Sequence, residues 1–329
     1  MRAFNTTNHK KGDDDYFDRL LSYFQSQFHE KILQMVPIRK SVIYLRTDKN
    51  TYVIKGYHTN SRLRLQEAFT ATLKKEGFTK TYLFLTSPVR EQLFFEGTYF
   101  GCMEYIPPNK AVFSFHSHKN RQEGIELLEL FHQTTASIEA RYRTLLPKGH
   151  LIEKWTERLN VFSNNLPYLG YFINDQFIIE MIDWANWSLE GMENNRRFFL
   201  KEPSLILHGD VAHHNFLRDS DGQLNLIDFD LISIGPASFD YLQYANRILP
   251  YIDWSFERLS SLSPIKKYLH EAAFLYALAY PADIFREWNR MIREKSYTDH
   301  TKYKQVMDLT ISQFYARKKF IDHLKELLN

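Results

Sequence analysis

The chain has 329 residues, 44% of them hydrophobic and 16% aromatic, which is enough apolar material for a large packed core without covalent staples. Its 42 lysines and arginines face 39 aspartates and glutamates, and the net charge of +3 is spread among interspersed signs, so no nucleic-acid partner is expected. The single Cys102 can close no internal disulfide, Met1 to Asp15 has no apolar segment of the secretory kind, and the apolar run Ala272 to Ala282 is shorter than the about 20 residues of a membrane helix, so a cytoplasmic protein with no membrane contact is expected.

A loose polar start, with Asn5 to Asn8 and Lys10-Lys11-Gly12, precedes an amphipathic helix expected from about Asp14 to Glu30. Val42 to Leu45 and Thr51 to Lys55 are β-rich runs on either side of Thr47-Asp48-Lys49-Asn50, which has turn chemistry, and together they predict a hairpin. Ser61 to Glu76 carries Leu63, Leu65, Ala68, Phe69 and Leu73 at helical spacing and stops at Gly77. Strand character returns at Tyr82 to Thr86 and Tyr99 to Ile106, and Pro107-Pro108 closes the section. From there the pattern is helical: about Arg121 to Arg143, Leu151 to Asn164, Phe172 to Leu200, and Pro236 to Asn329. Only Leu205 to Leu207 and Leu224 to Ile227 read as strands in that half. The expected division is a small α+β lobe over residues 1–106 and a larger, mainly helical lobe over residues 107–329.

Chemistry concentrates around those two late strands. Leu205-Ile206-Leu207 leads into His208-Gly209-Asp210, Asn215 follows five positions after the aspartate, and Leu224 to Ile227 delivers Asp228-Phe229-Asp230. Phosphoryl transfer needs oxygen ligands for magnesium and a carboxylate that positions the attacking hydroxyl; Asn215 and Asp228 suit the first role and Asp210 the second. His208 is expected to brace the loop by hydrogen bonds. His213 and His214 are read as local loop packing or substrate-side contacts, because no third zinc ligand accompanies them. Asp230 is read as a cap or loop hydrogen-bonding group that could also assist the metal.

The run resembles the catalytic and metal-binding segments of the aminoglycoside phosphotransferase and choline kinase superfamily, His-Gly-Asp, four residues, Asn, then a hydrophobic stretch ending in Asp-Phe or Asp-Trp. Within it, the aromatic-rich sequence and the N-terminal lobe are most similar to the spore-coat-associated kinase-like proteins of endospore-forming bacteria. The resemblance implies a protein-kinase-like two-lobed fold. It also implies a nucleotide-binding lobe over residues 1–106, with a hinge at 102–106, and a catalytic and acceptor-binding lobe over residues 107–329.

The activity implied is ATP- and magnesium-dependent transfer to the hydroxyl of a small molecule. Asp210 would be catalytic and Asn215 and Asp228 the metal ligands. Lys55 resembles the kinase lysine that reaches the phosphates, Glu67 its ion-pair partner, and Glu104 and Ile106 the hinge positions whose main chain pairs with adenine. Phe131-His132 resembles the family's helix histidine and is read as packing. In Gly235-Pro236 to Leu242, Asp240 is read as structural, an acidic residue near a helix start. Glu271, Asp283 and Glu287 lie near aromatics and offer carboxylates for a cationic acceptor.

One departure stands out. Arg39 to Asp48, the stretch that corresponds to the phosphate-covering hairpin, has no glycine, so the phosphates would be met by the side chains of Arg39, Lys40 and Ser41. That departure supports the alternative of a kinase-fold scaffold with weak or no catalysis, one that has spore-coat proteins as partners.

Overall fold

The expected β-hairpin is the centre of a five-stranded antiparallel sheet. The computed structural model describes residues 11–39, 41–201 and 203–329. Its first elements are α1 (Lys11–Gln27), β1 (Ile32–Arg39), β2 (Val42–Thr47), β3 (Thr51–Tyr57), α2 (Asn60–Lys75), β4 (Leu93–Phe95) and β5 (Thr98–Glu104), with the strands in the order β1-β2-β3-β5-β4. Val42 pairs with Lys55 and Leu45 with Tyr52, and the turn between them closes through Thr47 N–H to Asn50 O at 2.8 Å. The Glu30 carboxylate ties this turn down, accepting from Thr47 Oγ1, from Asn50 Nδ2 at 2.9 Å and from the Tyr52 hydroxyl at 3.0 Å. Leu20, Phe24 and Phe28 recur at four-residue spacing on and just after α1 and bury against Leu45, Ile54 and Phe100.

Thr59 caps α2 by accepting from Arg62 N–H, and Gly77 beyond its end has φ +96, the left-handed conformation expected there. The expected loose start falls largely outside the described residues, and Lys40 lies outside them entirely. Three local expectations change. The strand β1 was not anticipated; it contains Pro37 and is mostly exposed, as suits an edge strand that can spare an N–H. Tyr82 to Thr86 is not a strand; it makes a single bridge at Phe84, with Leu85 N–H to Cys102 O at 2.7 Å and Glu104 N–H to Leu83 O at 2.9 Å. The short β4 fills the sheet edge instead.

The remaining elements are α3 (His118–Tyr142), α4 (Leu151–Asn164), α5 (Leu166–Leu169), α6 (Asp175–Asn194), α7 (Arg197–Lys201), β6 (Ser204–Leu207), β7 (Phe216–Arg218), β8 (Leu224–Leu226), β9 (Ser233–Pro236) and α8 (Ser238–Ile248). They continue with α9 (Phe256–Ser260), α10 (Ser263–Lys266), α11 (Ala272–Ala279), α12 (Ala282–Arg293), α13 (His300–Met307) and α14 (Phe314–Leu328). The helix expected over 172–200 is two, because the chain turns at Asn195 and Arg196. β9, which was not anticipated, ends at Pro236, the expected start of the last helical stretch; it pairs antiparallel with β6, Leu205 opposite Gly235 and Leu207 opposite Ser233.

By packing, the chain divides into two units: one holds the chain up to Ala111 with Arg218–Ile227, the other Val112–Leu217 with Asp228–Asn329. The break therefore falls a few residues after the expected 106, and a later hairpin turn packs with the first unit. The bonds responsible are Asn109 N–H to Arg218 O (2.8 Å), Ser220 N–H to Pro107 O (2.8 Å) and Leu226 N–H to Lys80 O (2.9 Å). Among the described residues no helix is long and apolar enough to cross a membrane.

Candidate active site

In the second unit the buried strand β6 ends in a loop whose main chain is held from three sides. His208 is fully buried and Gly209 has φ +79. A Cβ at Gly209 would lie 2.2 Å from Leu231 O, so both the conformation and the space demand glycine. Asp240, buried in the first turn of α8, accepts from His208 N–H at 2.7 Å, from Gly209 N–H at 3.0 Å and from His132 Nε2 at 2.9 Å. Burial alone would push the Asp240 carboxyl up; the bond and charge of His132, the charge of His208 and the Gly209 amide outweigh it and hold it below the usual range.

One turn along α8, Gln243 accepts from Val211 N–H at 2.7 Å and donates to Gly209 O at 2.9 Å. His208 braces the loop as expected, its Nδ1 accepting from Asp210 N–H at 3.3 Å. His132, read as packing, is instead a hydrogen-bonding partner of the clamp.

The loop presents Asp210 with about 30% of its side chain exposed. Asn215, nearly buried at the end of a short 3-10 turn, donates from Nδ2 to Asp210 O at 2.8 Å and Oδ2 at 3.3 Å. That contact fixes which way the amide points and turns its oxygen, Oδ1, away from the aspartate. Arg247, in the last turn of α8, donates from Nη2 to Asp210 Oδ1 at 2.7 Å. Asp240, Gln243 and Arg247 fall at i, i+3 and i+7, so one face of α8 carries all three of these supporting groups. This i, i+3, i+7 polar stripe is the signal by which the sequence could have revealed Gln243 and Arg247.

Asp228 has φ +70, a left-handed conformation that costs a non-glycine residue roughly 1 kcal/mol or more and must be held by its surroundings. Its neighbour anchors the chain there: Phe229 is fully buried, stacked on Phe131 with ring centroids 5.7 Å apart and 5.4 Å from the His208 ring. Asp230 is partly buried beside it. His213 packs edge-on to Phe115, and burial, then Arg247, push its imidazole down.

In the first unit Lys55 lies buried on β3, opposite Val42 and Gly101, with Nζ 5.7 Å from the Tyr57 ring. Glu67 differs from expectation: its carboxylate is paired with Arg64 on its own helix at 2.8 Å, not with Lys55. The buried face of α2 is Leu63, Gln66, Phe69, Thr70 and Leu73, and a Cβ at Gly101 of β5 would meet Leu63 at 2.7 Å, so that face lies on the sheet. Gln66, one residue away, therefore faces the sheet, while Glu67, the expected ion-pair partner of Lys55, lies off that buried face.

Glu104 uses its N–H on Leu83 O and its carboxylate on Lys74 at 3.2 Å. Its carbonyl and the N–H of the partly buried Ile106 remain as an acceptor and donor pair at the end of β5. Tyr105 packs edge-on against Tyr44 at 5.4 Å, and burial, then Tyr44, push its hydroxyl up. In the turn between β1 and β2, Ser41 O accepts from Gly56 N–H at 2.8 Å and Arg39 pairs with Val42.

Residues 39–277 match the family model described as the phosphotransferase enzyme family. No curated protein matches the chain. An aminoglycoside phosphotransferase from Alicyclobacillus acidocaldarius superposes with a TM-score of 0.69 at 18% identity, over 92% of this chain and 94% of that one. Choline kinase LicA from Streptococcus pneumoniae gives 0.51 at 12% identity over 95% and 100%, and ADP-bound aminoglycoside phosphotransferase APH(2'')-Ib gives 0.52 at 16% over 91% and 98%. At these identities the likeness is one of fold, the kinase-like fold with a small antiparallel β unit and a larger helical one.

Proposed function

Because the chain belongs to the phosphotransferase enzyme family, we propose that it moves the terminal phosphoryl group of ATP onto the hydroxyl of a small molecule. The observation that carries this reading is the Asp240–Gln243 clamp, which fixes the loop so that Asp210 faces solvent with Asn215 bound to it. A carboxylate at a rigid, partly exposed loop suits a group that orients a hydroxyl and accepts its proton as the oxygen attacks.

Asp210 would hold the acceptor hydroxyl. As the new oxygen–phosphorus bond forms, the bond to the ADP oxygen breaks, ADP departs, and the hydroxyl proton passes to Asp210 and on to solvent. Asn215 Oδ1 and the Asp228 carboxylate are hard oxygen donors, the type magnesium takes alongside substrate phosphates. Bound there, magnesium would neutralise charge on the transferring phosphoryl group. Lys55 would meet the phosphates as a buried point charge, and the Glu104 carbonyl with the Ile106 N–H would meet the adenine edge. Glu67 is held by Arg64 through Oε2, and Gln66 offers a neutral hydrogen-bonding group on the sheet-facing side. The complexes of related folds with ADP support a nucleotide here.

A phosphoryl-transfer screen over amino sugars, choline, homoserine and sugar alcohols, with Asp228→Ala beside the wild type, tests the reading. Transfer that Asp228→Ala abolishes supports it; transfer that survives the substitution refutes the site.

A second reading, a kinase-fold scaffold with little turnover that serves among spore-coat proteins, is favoured by the glycine-free turn and by Glu67 engaged with Arg64. Thermal unfolding with magnesium-ATP separates the two, since a ligand at a hundredfold excess over its Kd stabilises by about 2.7 kcal/mol. A folded protein that shows no shift at millimolar nucleotide supports the scaffold.

A further inference from the structure

A cleft of about 540 Å³ in the second unit is lined by none of the loop, clamp or candidate metal-ligand residues. Its size falls in the range of small-molecule sites, about 300–1,000 Å³. One wall is a face of α14: Tyr315, Ala316, Lys319, Phe320 and His323 fall at i, i+1, i+4, i+5 and i+8, a run of about 12 Å along the helix. The other wall is Asp253, Trp254 and Phe256, where the chain enters α9. Two ring pairs join the walls: Trp254 meets Phe320 edge-on with centroids 5.8 Å apart, and Phe256 meets His323 edge-on at 5.3 Å. Trp254 is fixed further, its Nε1 donating to Gln313 Oε1 at 3.0 Å and the Arg317 guanidinium lying 4.3 Å over its ring. The backbone is left-handed at two successive non-glycine residues here, Asp253 with φ +54 and Trp254 with φ +55. L side chains rarely adopt that conformation even once, and such strain clusters at ligand clamps and other functional sites.

The charges of this cleft are unequally engaged. Arg317, Lys318 and Lys319 are consecutive on α14; Asp283 takes the first through two bonds, at 2.9 and 2.6 Å, and Glu180 takes the second. Lys319, the one that lines the cleft, pairs with no carboxylate among the described residues. Asp253, the carboxylate that lines it, is already bonded to Arg258 at 2.8 Å, and Glu326, at the far end, lies 3.8 Å from His323. An anion entering the cleft therefore finds an unengaged ammonium, while a cation finds the carboxylates in use. Ala316, beside the 69% exposed Tyr315, contributes only a methyl group to the wall and leaves the room that a flat ring would take.

We propose that this cleft binds a small planar aromatic molecule with one oxyanion group, its ring among Tyr315, Trp254 and Phe256 and its anion on Lys319. The aromatic walls bury the ring, and the ammonium adds a charge-assisted bond that a neutral or cationic ligand cannot make. The site is independent of phosphoryl transfer at Asp210.

The test is titration calorimetry of the full chain with naphthoate, the matching naphthalenemethanol and naphthalenemethylamine, and cyclohexanecarboxylate, for wild type, Lys319→Ala and Ala316→Leu. The expected result is one naphthoate per chain, bound about tenfold more tightly than the alcohol or cyclohexanecarboxylate, with the amine weakest. Lys319→Ala should lose about that tenfold for naphthoate and leave the alcohol unchanged, and Ala316→Leu, which fills the cleft, should bind neither. Both positions are exposed on a helix that alanine and leucine suit, so the variants should fold. Should Ala316→Leu not fold, Tyr315→Ala carries the same comparison, with weakened binding of both naphthoate and the alcohol expected. No naphthoate binding in wild type at millimolar concentration, equal binding in wild type and variants, or tighter binding of the amine would overturn the proposal. So would displacement of naphthoate by magnesium-ATP, which would put the ring in the nucleotide site. A wild-type dimer in sedimentation that Ala316→Leu dissociates would overturn it as well, because the cleft would then be a contact between copies.

Discussion

Replacing Asp240 by asparagine keeps the side chain's size and removes its charge. The carboxylate receives three donors: Oδ2 takes His208 N–H and His132 Nε2, and Oδ1 takes Gly209 N–H. An amide has one oxygen. Placed where Oδ2 is, it keeps two bonds at neutral strength and turns its own NH2 against the Gly209 N–H; placed where Oδ1 is, it opposes two donors. Asp240 is only 1% exposed, so water cannot repair the mismatch. Bonds to a charged group contribute about 1.5–3 kcal/mol each, so the loss of one with weakening of the others should cost about 3 kcal/mol.

At about 2–4 °C per kcal/mol for a unit of about 200 residues, the size of the second unit, that is a fall of roughly 6–12 °C in Tm, measurable by calorimetry at pH 7. A second readout is pH. The folded protein keeps Asp240 ionised below the usual carboxylate range, so the unfolded chain binds more protons between the two values. Its stabilisation is full above about pH 5 and lost as pH falls through about 4 and below. In Asp240→Asn that part of the acid loss should vanish. A Tm within about 2 °C of wild type, with the acid profile unchanged, would refute the clamp.

Gly209→Ala should lower the unfolding free energy by about 2 kcal/mol or more, through left-handed strain plus a Cβ driven onto Leu231 O, read as a lower urea midpoint, and an unchanged midpoint would show the loop is free to shift. Arg247→Met should cost less in Tm, about 1 kcal/mol, because Asp210 is about 30% exposed and water can replace the guanidinium; a loss as large as that of Asp240→Asn would contradict this ranking. Asp283 is pushed up by burial but brought lower overall by the charge and bonds of Arg317, so Asp283→Asn should also remove part of the acid-dependent loss below about pH 4, read by unfolding at pH 3 and 7.

What was legible in the sequence was local or rigidly spaced. The β2–β3 hairpin could be read from alternation around Thr47 to Asn50, and α4 has the expected bounds, Leu151 to Asn164. The Asp210 and Asn215 pair could be read from spacing alone, because five residues of loop suffice to bring the two together. What stayed hidden depended on tertiary pairing. His132 meets Asp240 across 108 positions, and no local pattern distinguishes a buried histidine that packs from one that bonds. Gln66 and Glu67 differ by one step of helix phase, and the cap at Thr59 together with sheet packing decides which of them faces inward. Asp283 and Glu287 read as open carboxylates until the arginines of α12 and α14 are seen to hold them.

The central claim, that the clamped loop is a phosphoryl-transfer site worked by Asp210, is tested most directly by single-turnover transfer from ATP in Asp210→Asn, with nucleotide stabilisation measured on the same sample. The account predicts a rate about 10²–10⁴-fold below wild type with the magnesium-ATP shift retained. A rate equal to wild type would contradict it.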